Sequence, residues 1–450
     1  MARTWIEPVV VGAQMASSFY DTGLLLVVKT HYNQSSLSSN STSDDQLQNA
    51  ISNFYLIHNL ILSLTPFLSA YVLSNIGDKK NRKVPICVPL LGYFVSRMFL
   101  LFVILFNWPI EVMYGSAALN GLTGFFTTYW AGVLAIASLG SSESKRSVRF
   151  IIIELVYGAA GFVGSLVSGH IFKNFEIANQ KGSVLVILSL CFYAFSLLYC
   201  LFIFKIPKIE GTGPEYSRQR LNSETQISPN VPTETSTLLM KDPTEASAVV
   251  ENSATMTYFS KLFLFLLFFS GILYNAAVSG AVDVLPFFII NKPLNWGAVE
   301  VGYANAAGYL IFVTSFLGVY FFSKCLPDFI MIGIGILSFS LGIFIMGFVQ
   351  WTFLFYIARA VMMFSLIPLP TIRSVISKQV RGTSYGKVFV VLQLSLSLTH
   401  VITLIAFTKL YQASLDWFRG FCFILASIIA LLSLIPISIA AYMRRSRPPI

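Results

Sequence analysis

Six charged side chains stand inside stretches that are otherwise apolar: Asp21, Arg97, Glu154, Asp283, Arg359 and Arg373. A charge in such surroundings is costly unless it faces water or a partner, so each is a candidate for chemistry or for a buried ion pair. Glu154, in Ile153-Glu154-Leu155, has no neighbouring polar residue to satisfy it locally. That is the setting expected of a carboxyl that loads and unloads protons near neutral pH; the structural alternative is a carboxylate pinned by Arg373 or Arg149. Asp21 closes a polar stripe with Gln14 and Ser17 or Ser18, and Asp283 closes another with Asn275 and Ser279, at spacings that put each set on one helical face. Both stripes are expected to face a central cavity, either as proton or substrate groups or as halves of ion pairs with Arg97 or Arg359. Arg373 and Arg359 suit an anionic substrate, because a guanidinium stays charged and grips a carboxylate or phosphate with two hydrogen bonds. Arg373 follows Pro368-Leu369-Pro370, whose prolines break backbone hydrogen bonding and predict a hinge beside the charge. His170 reads as an interface residue or a proton relay, while His31, His58 and His400 offer less to argue from. Gly158, Gly161 and Gly164 predict a close helix approach.

These groups must be held by membrane-spanning helices. In 450 residues, 55% are hydrophobic and only 11% are charged, far from a water-soluble composition. Apolar runs long enough to cross a bilayer fall at about 6–30, 51–76, 84–106, 110–138, 149–172, 183–204, 259–290, 298–323, 329–349, 353–377, 385–410 and 418–442. The expectation is an all-α integral membrane protein of twelve transmembrane helices in two pseudo-symmetric six-helix bundles. Residues 1–204 would form the first half and 259–450 the second. Between them, residues 205–258 are rich in Ser, Thr, Pro and Glu and read as a disordered cytoplasmic linker. Tyr20-Asp21 before Lys29 is echoed by Val282-Asp283 before Lys292, a faint internal repeat of the kind transporters carry.

Orientation follows from basic residues. The even-numbered turns and the C-terminal tail hold fourteen, the odd turns and their edges six, which puts both termini and the linker in the cytoplasm. The two Asn-x-Ser/Thr sites, Asn33 and Asn40, fall after the first span and are therefore expected outside, as glycosylation acceptors. The start of the chain reads as a retained first helix with no cleavage site. In the linker, Glu234 with Leu238 and Leu239 fits the acidic dileucine pattern read by sorting adaptors. The net charge of +10 sits in short turns, not on one stripe, so no nucleic acid partner is expected. No zinc spacing, phosphate-cradling glycine loop or nucleophile elbow occurs, so neither enzyme chemistry nor a cofactor is expected. The five cysteines lie in apolar or cytoplasmic positions, and no disulfide framework is expected.

Between the second and third runs, Asp78-Lys79-Lys80-Asn81-Arg82-Lys83 resembles the Asp-Arg-x-Gly-Arg-Arg/Lys motif of major facilitator transporters. The resemblance implies a gating role for Asp78, Arg82 and Lys83 in latching the two halves. The motif's early Gly is Ser74 here and its later Gly is Asn81. Trp5-Ile6-Glu7-Pro8, Ser141 to Arg149, and Ser384-Tyr385-Gly386-Lys387-Val388-Phe389 are similar to solute carrier family 46, the proton-coupled folate transporter group. Leu24 to Lys29, Ala50 to Tyr55 and Tyr356 to Val361 extend that likeness over nearly the whole chain outside the linker. It implies proton-driven import of anionic organic substrates such as folates, muropeptides or cyclic dinucleotides. Glu154 would match the family's fifth-helix proton-coupling Glu, and Arg373 its tenth-helix Arg. The seventh-helix His of the folate branch falls on Val278, a departure that bears on folate specificity and on the proton route.

The reading is a secondary active transporter importing a small organic anion with protons, at the plasma membrane with endosomal or lysosomal cycling. Glu154 and Asp283 are its proton-coupling candidates, and Arg373, Arg359 and Asp21 its substrate-binding ones. The alternatives are a non-transporting receptor or scaffold that signals through its linker, and an uncoupled facilitator. Deleting residues 210–255 separates the first two: a transporter keeps uptake of its labelled anion and changes only its trafficking, whereas a linker-driven scaffold loses its function.

Overall fold

The structure, a computed structural model, describes residues 5–38, 44–79, 81–139, 143–177, 180–204, 243–379 and 385–445. The first half is built from α1 (Glu7–Ser38), α2 (Asp44–Leu64), α3 (Pro66–Lys79), α4 (Val84–Phe106), α5 (Val112–Leu122), α6 (Phe125–Leu139), α7 (Glu143–Asn174) and α8 (Ser183–Leu198). One π-helical turn, Tyr199–Ile203, ends α8, and a two-residue hairpin, β1 (Glu176–Ile177) with β2 (Gln180–Lys181), links α7 to α8. The second half holds α9 (Pro243–Ile290), α10 (Ala298–Phe322), α11 (Asp328–Gly347), α12 (Thr352–Val361), α13 (Pro368–Gln379), α14 (Tyr385–Ser414), α15 (Phe421–Leu432) and α16 (Leu434–Arg445).

Eight helical stretches among the described residues are long and apolar enough to cross a membrane. The four expected spans missing from that set are the first, second, fourth and tenth. The first is a continuous 32-residue helix, but it carries Gln14, Ser17, Ser18, Asp21 and Lys29. The other three are each broken in two, as α2/α3, α5/α6 and α12/α13. Two boundaries also differ from expectation. Between Gly23 and Pro66 there is neither Gly nor Pro to stop a helix, so α1 continues to Ser38 and Asn33 lies within it, not in a turn. The expected linker is shortened because α9 starts at Pro243, with the proline at a first-turn position and helix-favouring Glu and Ala behind it. Asn40, Glu234, Leu238 and Leu239 lie outside the described residues.

Within the first half α1 packs on α7 and α8, and α4 on α5, α6 and α8; within the second, α9 packs on α14 and α15, and α11 on α12 and α15. The halves meet along two seams, α7 against α10 and α2 against α14. On the first seam a Cβ at Gly302 would lie 2.7 Å from the carbonyl oxygen of Ser165, so only glycine lets the two backbones come this near.

The breaks leave backbone groups that lipid cannot satisfy, and neighbouring side chains take them over. After α12, the Val361 carbonyl accepts a hydrogen bond from Ser338 Oγ at 2.6 Å. The Met363 carbonyl accepts one from Thr314 at 2.8 Å and one from Ser315 at 2.9 Å, and the Ser365 carbonyl accepts one from the Tyr274 hydroxyl. The tenth span is therefore interrupted, but over Met362–Ile367 and before Pro368, which starts α13 instead of kinking it. The fourth span turns at Gly124 and Phe125, with φ of 99° and 46°, and the Gly121 carbonyl, which accepts the Gly124 N–H, also accepts from Ser69 Oγ at 2.9 Å.

On the face that carries the odd-numbered connections, polar bonds join the two halves. Lys29 Nζ donates to the Ile290 and Trp296 carbonyls at 2.6 and 3.2 Å. Arg419 Nη2 meets the Asp45 carboxylate at 3.0 Å, and Gln48 Nε2 donates to the Tyr411 hydroxyl. Gln412 Nε2 donates to Ser52 Oγ at 2.8 Å and to Asn53 Oδ1 at 2.9 Å. A cysteine at Gly308, where an added Cβ meets nothing within 4 Å, reports on this closure. With Arg419→Ala, labelling of Gly308→Cys in a cysteine-free background, by an impermeant thiol reagent on the odd-loop side, should speed up roughly two- to fivefold. That is the effect of losing one rim ion pair worth about 0.5–1 kcal/mol. An unchanged rate means that Arg419 does not hold the halves together.

Candidate functional site

Among the described residues, two of the cavities lie between the halves. One, of about 360 Å³ and towards the odd-loop face, is lined by Ser18, Asp21 and Tyr157 from the first half and by Asn305, Tyr309 and Arg359 from the second, among apolar neighbours. The other, of about 480 Å³ and towards the even-loop face, presents Thr127 from the first half and Asn275, Ser279, Arg373, Gln393 and His400 from the second. The breaks of three spans border them: Met362 and Ser365 line the first, and Pro66 and Phe125 the second.

Asp21 is exposed into the first cavity and accepts a hydrogen bond from Ser17 Oγ at 3.3 Å. The structural alternative for it is an ion pair with Arg97 or Arg359, and no ion pair of Asp21 with either is found among the described residues. Arg97 is instead boxed by aromatic rings, its guanidinium carbon 3.9 Å from the Tyr20 ring centre, 4.8 Å from Tyr93 and 5.3 Å from Tyr193, with Nη1 donating to Ser96 Oγ at 3.2 Å. This buried cation is held by π faces and belongs to the packing of the first half. Arg359, across the half–half boundary from Asp21, lies 5.2 Å from the Phe355 ring centre and has its Nε unpartnered among the described residues.

Glu154 is half-buried on α7. Arg149, one of the two arginines that were expected to pin it, is taken by Glu7 at 2.5 Å. The charge that acts on Glu154 is Arg373 of α13, which is beyond ion-pair distance and donates from Nη2 to Gln393 Oε1 at 3.3 Å. The stripe Asn275, Ser279 and Asp283 divides: the first two line the cavity towards the even-loop face, while Asp283 turns towards α14. There its partner is His400 at 3.7 Å, not Arg359. His400 is the site residue that sequence reasoning passed over. A signal existed, because Gln393, Ser397 and His400 recur on one face of an otherwise apolar helix. His170 Nε2 bonds the Tyr303 hydroxyl at 2.9 Å across the α7–α10 seam.

The stretch that resembles a gating motif ends α3 and starts α4. Asp78 falls in the last turn of α3, and its side chain lies outside the described ones. Arg82 is exposed, whereas Lys83 reaches within its own half and donates to the carbonyls of Cys200 at 2.9 Å and Leu201 at 3.1 Å, capping the π-helical turn. Asn81 Oδ1 accepts the Lys83 N–H at 3.0 Å, which shapes the turn.

Known proteins agree with this architecture. The family model of the Major Facilitator Superfamily matches residues 13–329. Solute carrier family 46 member 2 of Canis lupus familiaris is 47% identical over 99% of this chain and 94% of its own length, and that of Mus musculus 45% identical with the same coverage. The lysosomal proton-coupled steroid conjugate and bile acid symporter SLC46A3 of Gallus gallus is 28% identical, covering 92% of this chain and 86% of its own. Among solved structures, the D-xylose-proton symporter superposes with a TM-score of 0.67 at 11% identity, covering 98% of this chain and 97% of that one. The peptide-transporter-family protein PepTSo superposes with a TM-score of 0.64 at 13% identity over 99% and 100%. A helical membrane fold with polar cavities at its centre, and near-half identity along the whole length, agree: this multi-pass membrane protein belongs to solute carrier family 46 of the major facilitator superfamily of transporters.

Proposed function

We propose that the protein imports a small organic anion together with protons by alternating access, with Glu154 as the proton site and Arg373 and Arg359 as the anion contacts. One observation carries the reading. The arginine that faces each cavity comes from the second half, and the carboxylate within its electrostatic reach or across the cavity, Glu154 or Asp21, comes from the first. Rocking the halves therefore changes the distance between opposite charges. A proton on Glu154 removes the negative charge that competes for Arg373, and Arg373 is then available to a substrate anion through paired hydrogen bonds. With both aboard, no uncompensated charge stays in a low-dielectric site as the halves move. Asp21 contributes a second polar contact beside Arg359, and Asp283 a second proton site.

The substrate class follows from the lining. Val278, Val282, Leu285 and Phe312 give the cavity towards the odd-loop face an apolar wall beside its arginine, which suits an anion with an apolar body. Steroid conjugates and bile acids, for which the SLC46A3 relatives are named, have that character and join folate-like, muropeptide and cyclic dinucleotide anions as candidates. The odd-loop face is assigned outside and both termini inside, as the basic residues of the even turns require. The plasma membrane, with cycling to endosomes or lysosomes, is the proposed location; the acidic dileucine in the linker and the lysosomal relatives support the cycling.

In cells expressing the protein, uptake of labelled taurocholate, estrone sulfate, folate, muropeptide and cyclic dinucleotide is measured at acid and neutral pH. Glu154→Gln should abolish the acid stimulation of whichever is carried while surface expression stays normal; unchanged pH dependence overturns the assignment. Arg373→Gln should raise KM about 10- to 100-fold, the loss of hydrogen bonds to a charged group.

A further inference from the structure

We propose that His400 is the group through which Asp283 exchanges its proton with the cavity on the even-loop side, so that the two residues act as one proton-binding dyad. The inference rests on proton coupling as the mode of transport. Asp283 lines neither cavity, and its Oδ2 has no hydrogen-bond partner among the described residues. A carboxyl placed there for packing alone would leave that oxygen costly and unsatisfied. His400 Nδ1 stands 3.7 Å from this oxygen, and the same imidazole lines the cavity that holds Arg373. Closing the gap to about 2.9 Å, an ordinary hydrogen-bond length, is a side-chain adjustment. Among the described residues, Nε2 of His400 makes no hydrogen bond and is free to act as the second port.

The proton path balances simply. The Asp283 carboxyl gives its proton to His400 Nδ1, leaving a carboxylate beside an imidazolium, and Nε2–H releases a proton to water in the cavity. The reverse sequence reloads the pair. Imidazole suits the task because its two nitrogens bind and release on opposite sides of one ring.

The other titratable groups around the pair are engaged elsewhere or share the cavity. On α2, Asp45 is bound to Arg419 and His58 Nδ1 to Asn59. On α14 itself, Lys409 bonds Asn53 and Gln412, and Tyr411 accepts from Gln48. Cys422 of α15 donates to the Phe407 carbonyl at 3.6 Å. Arg373 of α13 is the one charged group lining the same cavity as His400, and it donates to Gln393. Asn275 of α9, which lines the same cavity, donates to the Leu396 carbonyl at 3.1 Å.

The test needs no substrate. The full-length protein with ¹⁵N-labelled histidine holds four imidazoles, and His400→Gln assigns the resonance of residue 400 by its loss. Asp283→Asn should move the titration midpoint of the His400 imidazole by at least about half a pH unit, equivalent to about 0.7 kcal/mol. Asp283→Glu should restore it, and Glu154→Gln should leave it in place. A His400 titration indifferent to Asp283→Asn overturns the dyad. Should that variant fail to fold, modification of Asp283 by a hydrophobic carbodiimide, which attacks a protonated carboxyl, is followed by peptide mass against pH. Its midpoint should move in His400→Gln, and an unmoved midpoint overturns the dyad equally. The Glu154 reading fails in uptake and this one in titration, so the two failures are distinct.

Discussion

A bilayer offers no hydrogen bonds, and this constraint shapes the molecule from its helix breaks outward. The interruption between Val361 and Pro368 would strand carbonyl groups, yet Ser338, Thr314, Ser315 and Tyr274 from three other helices bond them. The interruption is tolerated only because the second half is assembled around it. In return it opens the wall of a cavity, since Met362 and Ser365 line the same space as Arg359. The breaks at Pro66 and Phe125 do the same for the cavity that holds Arg373. Irregular backbone and function coincide because each is possible only where protein or water, not lipid, is the neighbour.

The same rule sorts the charges. Arg97 is enclosed by the rings of Tyr20, Tyr93 and Tyr193, with its Nε, like that of Arg359, unpartnered among the described residues, and Arg149 is paired with Glu7; both are held by groups of their own half. Arg359 and Arg373 instead face cavities at the boundary between the halves. Lys83 illustrates the difference within the gating stretch. Its ammonium caps the end of the sixth span, so only part of that basic turn is left to act between the halves.

Much of this was legible from residue types. The span positions follow from runs of apolar residues, and the division at the linker from a change of composition. Membership of the superfamily was visible in the turn from Asp78 to Lys83, and the family model and relatives agree with it. Pairing was less legible. The structural alternatives put Glu154 beside Arg149 or Arg373 and Asp283 beside Arg97 or Arg359, whereas Arg149 bonds Glu7 and Asp283 meets His400. A soluble helix advertises its inner face by periodicity, but a span between lipid and protein is apolar on nearly every side. The rotation of α9 and α14 about their axes, and with it the Asp283–His400 contact, leaves little trace in the pattern of residues.

By itself, then, the sequence determined that this chain crosses a membrane repeatedly, where eight of its apolar spans lie, and which few charges must be accounted for. Those properties depend on the transfer free energy of each residue and are local. Only the tertiary structure decided which charges meet, that α1 runs on past Asn33, and that the tenth span opens before Pro368 and not at it. Such outcomes depend on which helix supplies a hydrogen bond or a ring to its neighbour, a property of the assembled halves and of no single segment.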